Sequence, residues 1–136
     1  MVKFRNFLLL LGLVLCAARL WAAPMVVPDG HQNQVAVAKS MDVLVDPEGQ
    51  WDLRQVREDF SSRFTVNTAE EPNFGFTSSV IWLRFTLDTR KVMNQSWYLV
   101  ERYPILDHIT LYAPHPDGGY DEVAMGDTLP FHMRMM

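Results

Sequence analysis

SSVIWLRFTL, residues 78–87, is the stretch whose reading decides the fold. Side chains alternate along a strand, so Ile81, Leu83, Phe85 and Leu87 fall on one face. Val80, Trp82, Arg84 and Thr86 fall on the other. The first row is apolar throughout and is expected to face a core. The second combines an indole with a guanidinium and allows two readings. Trp82 could stack on a flat ligand such as a sugar ring while Arg84 donates to hydroxyls or a carboxylate through its fixed donor fork. Alternatively Trp82 packs against another element and Arg84 pairs with an internal carboxylate.

The segments around this stretch supply its partners. Val35 to Val45 alternates enough for one or two short strands, and Asp46-Pro-Glu-Gly49 is a strong turn signal. Asp52 can cap a short helix over 53–59, with Leu53, Val56 and Phe60 at helical spacing. That helix is a candidate cover for Trp82, and Trp51 is expected to anchor it. SSRFTVNT (61–68) reads as a short strand and AEEPNFGFTSS (69–79) as a loop. Downstream the chain reads as strands: Trp97 to Arg102, then His108 to Tyr112, then Tyr120 to Met125. The last two are joined by PHPDGG (114–119), whose Asp117-Gly118 dipeptide favours a hairpin turn. Short strands at this spacing predict an all-β fold, a sandwich or barrel with one short helix. About six strands are legible where a sandwich has roughly seven to nine, so the last strands are expected to be missing.

The start of the chain is of another kind. Lys3 and Arg5 precede an apolar run, FLLLLGLVLCAA (7–18), that Arg19 closes. About a dozen apolar residues suit a signal peptide and fall short of the roughly 20 that span a bilayer. Cleavage is expected between Ala22 and Ala23, which makes 1–22 the signal, 23–34 a flexible lead-in and 35–136 the folded domain. Cys16 is the sole cysteine, and the mature chain then has neither disulfides nor thiolate metal sites. Losing Lys3, Arg5 and Arg19 leaves 9 basic against 16 acidic residues, roughly −7. An acidic chain without a basic cluster excludes nucleic acid as a partner, because phosphate binding needs a Lys/Arg footprint.

Chemistry-bearing patterns are sparse. The four histidines are scattered and show no metal-ligand spacing. Asp42, Asp46 and Glu48 cluster around a turn without the spacing of a known calcium loop. Glu101 and Asp107 flank the YPILD turn (103–107), but nothing selects them as a glycosidase pair. No nucleophile elbow or phosphate-cradling glycine loop occurs. The expectation is no catalytic residue, no metal and no cofactor. The ligand-binding candidates are Trp82 and Arg84, with Tyr103 and Asp107 at a rim where binding loops sit.

Three stretches carry a family resemblance: NFGFTSSVIWLRF (73–85), YPILDHITLY (103–112) and GDTLPF (126–131). Taken in order from about Val43 to Phe131, the chain resembles the periplasmic sensor domain of bacterial seven-transmembrane receptors with diverse intracellular signalling modules. The similarity is to the second type of their extracellular domain. The resemblance implies a jelly-roll-like sandwich similar to carbohydrate-binding modules. It further implies a small-molecule ligand, carbohydrate-like by fold analogy alone, and a homodimer as one assembly. In such receptors a seven-helix membrane region follows, then a diguanylate cyclase, histidine kinase or similar module. The sequence is expected to be the N-terminal piece of something longer. A free exported carbohydrate-binding or accessory protein is the other reading.

Overall fold

The computed structural model describes residues 25–103, 105–130 and 132. The signal segment and its cleavage point lie outside them, as does Phe131 of the third family stretch. Among the described residues the chain is all-β with one short α-helix: β1 (Met25–Val26), β2 (Asp42–Asp46), α1 (Leu53–Glu58), β3 (Thr65–Val66), β4 (Val80–Arg84), β5 (Thr86–Leu87), β6 (Ile109–Pro114) and β7 (Tyr120–Met125). Single 3-10 turns occupy Ala38–Ser40 and Ser61–Arg63. The strands form three small sheets, ordered β1-β5, β3-β2-β4 and β6-β7. The described residues up to Gln95 and those from Ser96 onward form separate compact units.

In the first unit β2 is the central strand, antiparallel to both β3 and β4. Its register sets Asp42 opposite Arg84, Leu44 opposite Trp82 and Asp46 opposite Val80. Directly paired residues point to the same face, so these six side chains share one side. On that side Asp42, Leu44 and Asp46 are all buried, and only Val80 at the strand end, at 44%, is exposed. On the other side Val45 is 45% exposed and Leu83 42%. The core face is therefore the reverse of the one expected from the apolar row Ile81, Leu83, Phe85 and Leu87. The reason lies in the path of the chain after β2. It leaves through the Asp46 turn, forms α1, and returns past Ser61 and Phe64, both of which touch Arg84. Covering elements choose the buried face, and an apolar row alone does not.

The turn and the helix are built by side chains that satisfy backbone donors. Asp46, fully buried, accepts from the Gly49 and Trp51 N–H groups, each at 2.9 Å. A buried carboxylate persists only with such partners. Gly49 has φ +63°, a left-handed conformation that glycine adopts without a Cβ penalty. Asp52 accepts from Gln55 N at 2.7 Å while the Gln55 side chain accepts from Asp52 N at 2.9 Å, a complete capping box. Val56 is the buried residue of α1, and the Trp51 and Phe60 rings meet across its ends at 4.3 Å between centroids.

Three further details depart from the sequence reading. The strand read through 78–87 breaks at Phe85, where the chain changes partners. β4 stays with β2, whereas β5 pairs in parallel with β1, inside the segment read as a structureless lead-in. Val26 is buried there, and its carbonyl accepts from Asp88 N at 2.8 Å. The expected strand over Trp97–Arg102 is absent: Tyr98 is 84% exposed and Val100 69%. Neither alternating face of WYLVER is wholly apolar, so burial favours no strand register there.

In the second unit β6 and β7 form an antiparallel hairpin in register from Ile109↔Met125 to Pro114↔Tyr120. His115 N donates to Gly119 O at 2.8 Å and Gly118 N to His115 O at 2.9 Å. Gly118, at φ +93°, makes the turn that Asp117-Gly118 announces.

Candidate functional site

Two clusters gather the polar groups that a ligand could meet, one in each unit. The first is centred on Arg84. Its guanidinium donates to Asp42 Oδ2 at 2.8 Å and to Ser61 Oγ at 3.1 Å, and lies 4.1 Å above the Phe64 ring. The Asp42 side chain is 8% exposed and that of Arg84 42%. The carboxylate is thus nearly dry while the guanidinium reaches water along one edge. Trp82, two residues earlier on the same face, is half-buried. Arg84 accordingly pairs with an internal carboxylate, one of the two roles that its sequence context allows. Asp46 is committed to backbone N–H groups, so two of the three carboxylates around the turn have protein partners. Among the described residues no group of three or more His, Cys, Asp or Glu is placed to hold a metal ion.

The second cluster lies at the open end of the hairpin, where YPILDHITLY and GDTLPF meet. Leu106 O accepts from Asp127 N at 3.0 Å, and Asp107 O accepts from Thr128 Oγ1 at 2.7 Å and Thr128 N at 3.4 Å. Thr128 Oγ1 also lies 3.1 Å from His108 Nδ1. Gly126 makes this approach possible. It has φ +131°, and a Cβ built on it would stand 2.1 Å from the Asp107 oxygen. Only glycine satisfies both demands. The Asp107 and His108 side chains are exposed beside this clamp.

Tyr103 is 56% exposed, and its N–H donates to Glu101 Oε1 at 2.7 Å. No hydrogen bond or ion pair joins its side chain to that of Asp107 among the described residues. The sequence candidates therefore sit in two settings: Trp82 with Arg84 on β4, and Asp107 within the hairpin clamp. Sequence reasoning missed Gly126, Thr128 and His108 as partners of Asp107. The available signal was a Gly-Asp-Thr directly after the strand read at Tyr120 to Met125. At the far end of the hairpin a shallow depression of about 180 Å³ is lined by His115, Asp117, Gly119, Tyr120 and Asp121. Ligand pockets are larger, about 300–1,000 Å³.

Small sheets with polar clusters among loop ends describe an all-β domain of the kind that presents its loops to the outside. Over residues 38–136 the chain matches the family described as 7TMR-DISM extracellular 2. The chain belongs to this family, the extracellular sensing domains of membrane receptors. The match covers every element from β2 to β7 and all three motif stretches, and leaves β1 outside. No curated protein matches the chain closely enough to count as a relative. No helix among the described residues is long and apolar enough to cross a membrane.

Proposed function

We propose that this chain is the periplasmic input domain of a bacterial signalling receptor, exported through residues 1–22 and binding a small, hydroxyl-rich molecule of carbohydrate type. The observation that carries the reading is the family match over 38–136. The apolar n-to-h pattern at the start supports export, and a jelly-roll-like sandwich is the architecture such a domain would complete. Of the two clusters, the hairpin clamp is the better sensing site. Arg84 already serves Asp42, whereas Asp107 and His108 stand exposed on a backbone held in place by Gly126 and Thr128. A ligand bound there would act on the mutual position of the 106–108 and 126–128 segments, which is a displacement a receptor can transmit.

The test is a thermal melt of the purified chain against a panel of sugars and small acids. A ligand at about 100 times its Kd stabilises the native state by about 2.7 kcal/mol. A neutral sugar is expected to raise the midpoint, and Asp107→Asn to remove that rise. A panel in which only acids act would overturn the ligand class. A phosphatase reporter fused after residue 136 is expected to be active only when exported. The reading frame at the locus is expected to continue into seven apolar segments, and a frame that closes without them would leave a free exported binding protein.

A further inference from the structure

The hydrogen bonds of the hairpin clamp fix something not visible in heavy atoms alone, the protonation of one imidazole ring. A threonine hydroxyl carries a single proton. Thr128 Oγ1 lies 2.7 Å from the Asp107 carbonyl oxygen, an atom that can only accept, so the Thr128 proton is committed to that bond. The same Oγ1 lies 3.1 Å from His108 Nδ1. With the hydroxyl proton engaged, the hydrogen in this second contact must come from the ring.

We infer that His108 is held as its Nδ1–H tautomer by a directional relay, from His108 Nδ1–H to Thr128 Oγ1–H to the Asp107 carbonyl, so that Nε2 stands outward as a proton acceptor. An unconstrained neutral histidine favours the opposite tautomer. Which nitrogen carries the proton is set by the partner of the other, and here that partner is Thr128. His108 is exposed, and among the described residues its Nε2 has no hydrogen-bond partner. A molecule meeting the neutral ring must therefore bring a hydroxyl or an N–H. A bare carboxylate would set lone pair against lone pair. This preference for donors rests on reading the hairpin clamp as the sensing site. The ring state does not, and it is measured without any ligand, so the two fail separately.

The measurement is a long-range proton–nitrogen correlation spectrum of the ¹⁵N-labelled full chain at mildly alkaline pH, where imidazole is neutral. His108→Gln identifies the signals of this ring. The expected pattern is a protonated Nδ1 and an unprotonated Nε2. Thr128→Val, which keeps the shape and removes the hydroxyl, is expected to invert the tautomer ratio, and Thr128→Ser to preserve it. An Nε2–H pattern in the unaltered chain would overturn the inference, as would a Thr128→Val spectrum identical to the parent. Should Thr128→Val fail to fold, the spectra of the parent and of Thr128→Ser still decide.

Discussion

At the scale of single residues, three positions carry forces large enough to measure. Gly126 is the most constrained, since any side chain would meet both an unfavourable φ and the Asp107 carbonyl. Gly126→Ala is expected to cost about 3 kcal/mol, combining backbone strain with overpacking, and denaturant unfolding would show it as a lowered midpoint. Arg84 differs because its partner is the vulnerable member. Arg84→Ala strands the nearly dry carboxylate of Asp42, at a cost of about 2 kcal/mol, between the values for exposed and fully buried pairs. Arg84→Ala combined with Asp42→Asn should recover part of that loss, and a double-mutant cycle measures the coupling. Asp88 responds to acid. Arg90 donates to its carboxylate from Nε at 2.8 Å and from a terminal nitrogen at 2.6 Å, which with a further bond from Arg90 N lowers its pKa from 3.8 to about 2. A depressed carboxylate pKa adds stability that is fully present above the unfolded value and is lost as pH falls through the folded one. The stability advantage over Asp88→Asn should thus shrink between about pH 4 and pH 2, and pH-resolved melting of both chains would reveal it.

At the scale of elements, local chemistry was legible and partner choice was not. The helix cap at Asp52, the hairpin turn at Asp117-Gly118 and the bounds of β7 can all be read from the sequence, because each depends on residues a few positions apart. Asp52→Ala is accordingly expected to lower stability by about 1 kcal/mol, as for other capping residues, with α1 amides exchanging faster than before. The break at Phe85 was illegible because strand propensity is continuous from Val80 to Leu87, and only the arrival of β1 beside Thr86 ends the pairing with β2. The reversed core face of β4 has the same origin. An alternating strand states that two faces differ, and the rest of the chain determines which of them is covered. Of the candidate site, only the place of Asp107 at the end of YPILD was legible. Its clamp was not, since Gly126 and Thr128 lie about twenty residues away and meet it only through the closure of β6 on β7.

At the scale of the whole chain, burial is distributed unevenly. All the buried apolar side chains among the described residues, Val26, Leu44, Val56 and Val92, belong to the first unit. The second unit holds its hairpin by ladder bonds and half-buried residues such as Leu111, Tyr112 and Val123. Tyr112, opposite Glu122 on β7, has its phenol pKa raised, by burial first and by the Glu122 charge second. An isolated two-stranded hairpin is marginally stable at best in water, whereas a strand paired on both sides, as β2 is, opens only with its whole unit. Native-state hydrogen exchange should therefore be graded. Amides of Leu44 and Trp82, in the β2–β4 ladder, are expected to be the most protected, and those of Leu111 and Val123 to exchange markedly faster. Under the function proposed above, a ligand at the hairpin clamp would act on the unit that opens most easily. Uniform protection across both ladders would mean that the hairpin is held as firmly as the three-stranded sheet, and uneven burial would then not set the local stability of either.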